Sequence, residues 1–181
     1  RSFETLRYND KRSAENESMP FLKTGMSSGQ YAALNLSKIY VLTTDNTCSA
    51  SESFINGLRG VNVRVEQIGS TSCGKPYGFV AQDNCGITYA AMEFEGVNDQ
   101  GQGGYGDGLV PDCAAADDLG HALGDPAEAM FAVAVARQQG KACAPVSASA
   151  GLLSSLKQAG LAQWPLKMQR PDWQTNKIWT R

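Results

Sequence analysis

Two segments hold the side chains that could make or break a covalent bond. The first, residues 47–53, reads TCSASES. Ser49 stands three residues before Glu52, the S-x-x-E pattern that opens a helix. A serine there lies beside helix N–H groups and the partial positive charge of a helix N-terminus. That suits a nucleophilic oxygen and the oxyanion it would create, with the Ala50 N–H as one donor. The same pattern also describes a plain N-cap with no chemistry attached. Ser51 and Ser53 are further candidate nucleophiles; Ser51 falls within the capped turn and ranks second to Ser49.

The second segment, residues 69–76, reads GSTSCGKP. It misses the phosphate loop G-x-x-x-x-G-K-[ST] by its final residue. Pro76 has no hydroxyl to offer Mg²⁺. The following PYGFVAQDNCG has no helical period, so no helix N-terminus is there to hold phosphates. Lys75 is then either a solvated loop lysine or a base. A lysine acts as a base when desolvation makes it neutral near pH 7, and Ser–Lys pairs are a variant of the triad arrangement.

The elements around these residues decide whether they can meet. KIYVLTT (38–44) is a short β-branched and aromatic run, a buried strand. TDNT closes it. Phe54, Ile55 and Leu58 give the next segment one apolar helical face, ended by Gly60. VNVRVEQIGS then alternates as a strand, with Val61, Val63 and Val65 on one face and Asn62, Arg64 and Glu66 on the other. Residues 38–69 therefore predict a parallel βαβ unit. Ser49 follows its first strand and Lys75 its second, so both emerge at the carboxyl edge of the sheet, where α/β sites form.

Elsewhere the signals are more local. Residues 9–30 are polar and turn-rich and predict a loop, with a short helix near 30–34. Cys73 and Cys85 bracket a hairpin, and residues 86–97 predict one further strand. GQGGYGDG (101–108) reads as a flexible loop; without a strand–helix context its glycines carry no nucleotide role. Residues 125–139 predict a helix with Asp125 as cap, Pro126 at the first position, Glu128 at the third and Gly140 past the end. A second helix is predicted at 149–159. The tail 164–181, with three tryptophans and two prolines, predicts an irregular arm.

The whole chain bounds these readings. Its 181 residues predict one domain or a fragment of one, and 42% hydrophobic with 19% charged residues is a globular composition. The net charge of −2, with no basic stripe, disfavours nucleic acid as a partner. The longest strongly apolar stretch, 127–136, is too short to span a bilayer. The chain opens RSFETLRYND, with neither Met nor a charged-then-apolar leader, so a signal peptide is expected to be absent or already removed. The five cysteines include no C-x-x-C pair, and His121 is the single histidine, which disfavours a zinc site; no cofactor is expected. Dispersed cysteines fit disulfides in an oxidising compartment, with one thiol left over. Cys113–Cys143 would tie the ends of the 125–139 helix, and Cys73–Cys85 the hairpin, leaving Cys48. Cys48–Cys73 is the alternative, since both sit beside Ser49 and Lys75.

TCSASES followed by GSTSCGKPYG resembles the nucleophile and lysine segments of the tail-specific, or C-terminal processing, serine peptidases (family S41). That family shows S-A-S-A-S-E and then T-F-G-K-G. Carried across, the middle serine is Ser49 and the lysine is Lys75, at an interval one residue longer than the family's. An insertion near Asn62 would absorb it. The match covers 38–80. It departs at Phe79, where the family has a lysine-orienting glutamine; Gln82 is near but out of register. Cys48 stands where the family has alanine. The family's Gly-rich D-L-R-x-N-x-G-G, which supplies an oxyanion amide, is only echoed without glycines by LRYND (6–10), and no PDZ domain is present.

The resemblance implies a crotonase-like α/β peptidase domain of which this chain is the C-terminal part. Residues 1–145 would be the core and 146–181 a C-terminal helix and arm. It implies a serine endopeptidase of the periplasm or the extracellular space that cleaves polypeptides through an acyl-enzyme. Ser49 would attack, Lys75 would act as base, and the Ala50 N–H would hold the oxyanion. With one donor of two, the chain alone would be weakly active or inactive. Two other classes compete. Phe79 and the missing first half suit a non-catalytic, peptide-binding relative. A hydrolase using His121 is the third; DDLGHALGD reads more simply as a polar turn with His121 exposed.

Overall fold

The computed structural model describes residues 1–22 and 34–143. The helix expected at 149–159, the tryptophan-rich arm and all but the last residue of the helix expected at 30–34 lie outside these residues.

In chain order, β1 (Ser2–Tyr8) leads through a 3-10 turn (Asp10–Glu15) into β2 (Glu17–Pro20). The two strands pair antiparallel, where a loop was expected. Then come β3 (Lys38–Thr43), α1 (Ala50–Gly60) and β4 (Arg64–Gly69). β3 and β4 pair in parallel and in step from Lys38↔Arg64 to Thr43↔Gly69, so the expected βαβ unit is present. β5 (Tyr77–Gly78), β6 (Gln82–Asn84), β7 (Ile87–Tyr89), β8 (Phe94–Val97), β9 (Cys113–Ala114) and α2 (Ala129–Gln138) complete the described order.

The strands form two main sheets, an antiparallel one ordered β2-β1-β8-β5 and a parallel one ordered β3-β4-β9, with β6-β7 as a separate hairpin. Helix α1 packs on β4 and also on β1 and β8, which couples the two sheets. Gly57 sets that approach: a Cβ there would lie 2.7 Å from Phe3 O. Helix α2 packs on β3 and β4, and Ile68, Cys113, Met130 and Ala134 form the core between them.

β4 departs from the simple alternation expected of it. Val65, Glu66, Gln67 and Ile68 are all buried. The central strand of a parallel sheet is covered on both faces, so neither face is left for solvent. Glu66, expected on a polar surface, shares the Ile68 face and meets α2. There it is bonded by Arg137 and paired with Lys38 at 2.6 Å. Burial by itself would raise the Glu66 carboxyl, but the Arg137 and Lys38 hydrogen bonds outweigh it and hold it below the usual range.

Three further expectations are corrected. The strand expected at 86–97 is split in two. β7 turns back onto β6 through Cys85 (φ 51°) and Gly86 (φ 77°), the positive pair a two-residue hairpin needs, while β8 joins β1 and β5. The helix expected from 125 starts later, because Glu128 rather than Asp125 is its cap and accepts from the Met130 and Phe131 N–H groups. Asp125 closes the preceding turn instead, accepting from Ala127 N–H at 2.9 Å. Finally, the disulfides are Cys48–Cys73 and Cys113–Cys143, and Cys85 is a free, exposed thiol. The first-choice Cys73–Cys85 pair does not form, because Cys85 sits at the hairpin tip. Cys48 and Cys73 instead follow two strands that end side by side. Among the described residues, no helix is long and apolar enough to cross a membrane.

Ile68 is fully buried at the centre of the parallel-sheet core. Ile68→Ala is expected to cost about 3 kcal/mol of stability, as large-to-small core changes do. The measurement is the shift in urea midpoint under non-reducing conditions.

Candidate active site

The paired ends of β3 and β4 aim two turns at one place. The strands stay joined past their last pair, with Ser70 N–H donating to Thr43 O and Thr43 Oγ1 donating to Ser70 O, both at 2.8 Å. One turn, 44–49, is closed by Thr44 N–H donating to Thr47 Oγ1 at 3.0 Å. The other, 70–75, meets it where Cys73 N–H donates to Thr47 O at 2.9 Å, and the Cys48–Cys73 disulfide fastens the two.

Ser49 follows with φ 54° and ψ −113°. An ordinary N-cap residue is extended, and few non-glycine residues adopt a positive φ. The S-x-x-E box is present in outline, yet the Ser49 hydroxyl makes no full cap hydrogen bond. Capping therefore explains Glu52 but not the conformation of Ser49. A strained serine on a sharp strand-to-helix turn is the arrangement that presents a hydroxyl clear of its own backbone, and such strain gathers at functional sites.

Glu52 holds the arrangement. Its carboxylate is fully buried on the first turn of α1. Oε1 accepts from Ser72 Oγ at 2.5 Å and Gly74 N–H at 2.7 Å. Oε2 accepts from Lys75 N–H at 2.8 Å and Ser49 N–H at 3.0 Å. One carboxylate thus binds the backbone of both candidate catalytic residues. The capping pattern identified only the Ser49 bond; the donors at 72–75 lie too far along the chain for any local pattern to find.

The glycine-rich segment, expected to be a flexible loop, is packed against the lysine turn. Ser72 N–H donates to Leu109 O at 3.1 Å, and Leu109 N–H donates to Ser72 Oγ at 2.7 Å. Gly74 and Gly108 both have positive φ. A Cβ at either would overlap a backbone oxygen across the gap, Gly106 O or Ser72 O respectively. These glycines serve backbone contact.

Ser49, Ala50, Ser53 and Lys75 all line one cleft of about 580 Å³, between the N-terminus of α1 and the antiparallel sheet. Ser51 is exposed and does not line it. Ser49 and Lys75 are both exposed, and no hydrogen bond joins their side chains. Phe79 lines the cleft, whereas Gln82 lies on the exposed hairpin strand β6. Tyr105, in the glycine-rich segment, is buried on the cleft wall. Burial first, then the charges of Glu4, Glu52 and Glu95, push its phenol far up, so it stays neutral. His121 is not on the cleft. It is exposed and pairs with Asp118 at 2.7 Å. That hydrogen bond, then the Asp118 charge, raises the imidazole above its ordinary 6.5. Among the described residues, no group of three or more His, Cys, Asp or Glu side chains could hold a metal ion.

No protein-family model matches the sequence, and no curated protein matches it. Among solved structures, the chain is similar to one described as "Putative S41 protease" from Bacteroides fragilis NCTC 9343, with a TM-score of 0.66 and 27% sequence identity. The likeness covers 77% of this chain and 37% of that one, so the chain spans well under half of the relative's length. The mixed α/β architecture with its parallel sheet is thus one found in an S41-type protein.

Two measurements check this geometry. Glu52→Gln replaces one acceptor oxygen by an NH₂ facing two donors, and should cost about 2–3 kcal/mol. Amide exchange at Gly74 and Lys75 should quicken with it. His121, as the single imidazole, should titrate by NMR above 6.5, and Asp118→Asn should lower it. A raised value means the pair's contribution to stability is whole below pH 6.5 and is lost as pH rises through the folded value.

Proposed function

We propose that this chain, S41 peptidase-like in structure, carries the nucleophile and the base of a serine endopeptidase. The observation that carries the reading is the strained Ser49 at the start of α1, opening onto the same cleft as Lys75. Ser49 Oγ attacks the substrate carbonyl carbon while neutral Lys75 takes the hydroxyl proton. The Ala50 N–H holds the oxyanion. A second donor is assigned to the part of the relative's length that this chain does not span. The intermediate collapses to an acyl-enzyme, and the amine leaves with the proton from Lys75. Water then attacks the ester, gives its proton to Lys75, and the acid departs as Ser49 regains its hydrogen. The domain is assigned as the C-terminal part of a crotonase-like peptidase domain, with its core at 1–145. Its two disulfides suit a periplasmic or secreted setting.

One specific observation favours a second reading. Lys75 is exposed, whereas a lysine that serves as base is shielded from water. Phe79 offers it no hydrogen bond in place of the family's glutamine. The peptidase reading needs the substrate or the rest of the protein to cover Lys75; without that cover the chain would bind peptides and not cut them.

A serine-directed fluorophosphonate probe and an unstructured-peptide cleavage assay separate the two. The full-length protein should label at Ser49 and cleave, and Ser49→Ala and Lys75→Ala should each abolish cleavage. Residues 1–181 alone should cleave at least about 100-fold more slowly, the usual cost of one missing oxyanion donor. An unlabelled, inactive full-length protein would favour the binding reading.

A further inference from the structure

Glu4 has no assigned role, yet among the described residues it is the one carboxylate lining the cleft. It lies on β1 two residues from Leu6, so the two side chains share a face, and both line the cleft. On the neighbouring β8, Phe94 and Gly96 line it as well. Gly96 makes room for the carboxylate: a Cβ there would overlap Glu4 Oε1. Glu4 Oε1 therefore lies across the floor of the cleft, over the glycine.

The two acids on and just before β8 are occupied. Glu95 is paired with Arg7 at 2.6 Å and accepts from Gly104 N–H at 2.5 Å, and Glu93 is bonded to Arg12. The Glu4 carboxylate has no hydrogen bond or ion pair among the described residues. Lys75, the only other charged side chain on the cleft among the described residues, forms no ion pair with it. Phe3, Leu6, Phe54, Phe94 and Tyr105 line the same cleft. A half-buried charge on a cleft walled by aromatic rings, with no partner among the described residues, has lost part of its hydration without a compensating bond. A cation seated there would regain a charge-assisted bond and lie against ring faces that attract it. Arginine and lysine fit best, because their hydrocarbon stems can follow the apolar walls while the charged head reaches the carboxylate.

We infer that Glu4 is a specificity-determining residue that selects a lysine or arginine side chain of the polypeptide substrate, close to the bond presented to Ser49. The assignment of that bond rests on the peptidase reading; the selection of a cationic side chain does not. The test uses the full-length protein with Ser49→Ala and a set of fluorescent peptides identical but for one position, holding arginine, lysine, norleucine or glutamate. The arginine and lysine peptides should bind at least about tenfold tighter than the norleucine peptide, the margin of a partly buried charge-assisted hydrogen bond. Glu4→Gln should bring that ratio towards one, and Glu4→Arg should turn the preference towards the glutamate peptide. With Ser49 restored, the ratio of kcat/KM between cationic and norleucine peptides should follow the binding ratio through the same variants. Equal binding of all four peptides would overturn the inference. So would a Glu4→Gln effect that lowers kcat equally on every peptide, which would make Glu4 a positioning partner of Lys75. Selective binding of cationic peptides by a full-length protein that never cleaves would uphold Glu4 and sink the peptidase reading.

Discussion

A single buried carboxylate organises this molecule's candidate site. Glu52 has lost its water entirely, and an unpaired buried carboxylate would be prohibitively costly. It is stable because four donors converge on it, from Ser49, Ser72, Gly74 and Lys75. Three of those donors belong to a turn twenty or more positions along the chain. Burying the charge thus requires the lysine turn to lie against the first turn of α1, and the same requirement places Ser49 and Lys75 on one cleft.

The remaining constraints on the site act in the same direction. The parallel register of β3 and β4 brings both turns to one sheet edge. The Cys48–Cys73 bond and the Cys73 N–H to Thr47 O bond close the gap from the other side of Ser49. Behind the lysine turn, the glycine-rich segment packs at a distance that only glycines at 74 and 108 allow. A strained residue persists only where its surroundings over-determine it. Ser49, with Glu52 on one side and a disulfide-bonded cysteine on the other, meets that condition.

The cleft this frame produces is open and mixed in character. Aromatic walls, an exposed lysine and a carboxylate without a partner among the described residues face a space of about 580 Å³. Its two charges sit on different sheets, Lys75 beyond the end of β4 and Glu4 on β1, and α1 is what couples the sheets. On the proposed reading, substrate choice and bond cleavage are divided between two layers of the fold. Glu66 shows the contrasting use of a buried acid. It is enclosed by Arg137 and Lys38 on the α2 side of the parallel sheet and fastens a helix, away from the cleft.

Features set by neighbours in the chain were legible in the sequence. The βαβ unit follows from β-branched runs flanking an amphipathic segment. The helix start at Ala50 follows from the spacing of Ser49 and Glu52, and the placing of Ser49 and Lys75 at one sheet edge from the parallel topology. Whatever depended on distant chain had to wait for the tertiary structure. Only the covering helix α2 makes Glu66 an interior residue, and only the turn at 72–75 makes Glu52 more than a cap. The glycines at 101–108 looked like freedom, because a sequence does not display the backbone they must approach. Cysteine pairing was open for the same reason: Cys73 is nearer to Cys85 along the chain but nearer to Cys48 in space, where two parallel strands end together. The strain at Ser49 had no signal in residue type or spacing, since a backbone conformation that an isolated serine avoids is imposed by contacts made elsewhere in the fold.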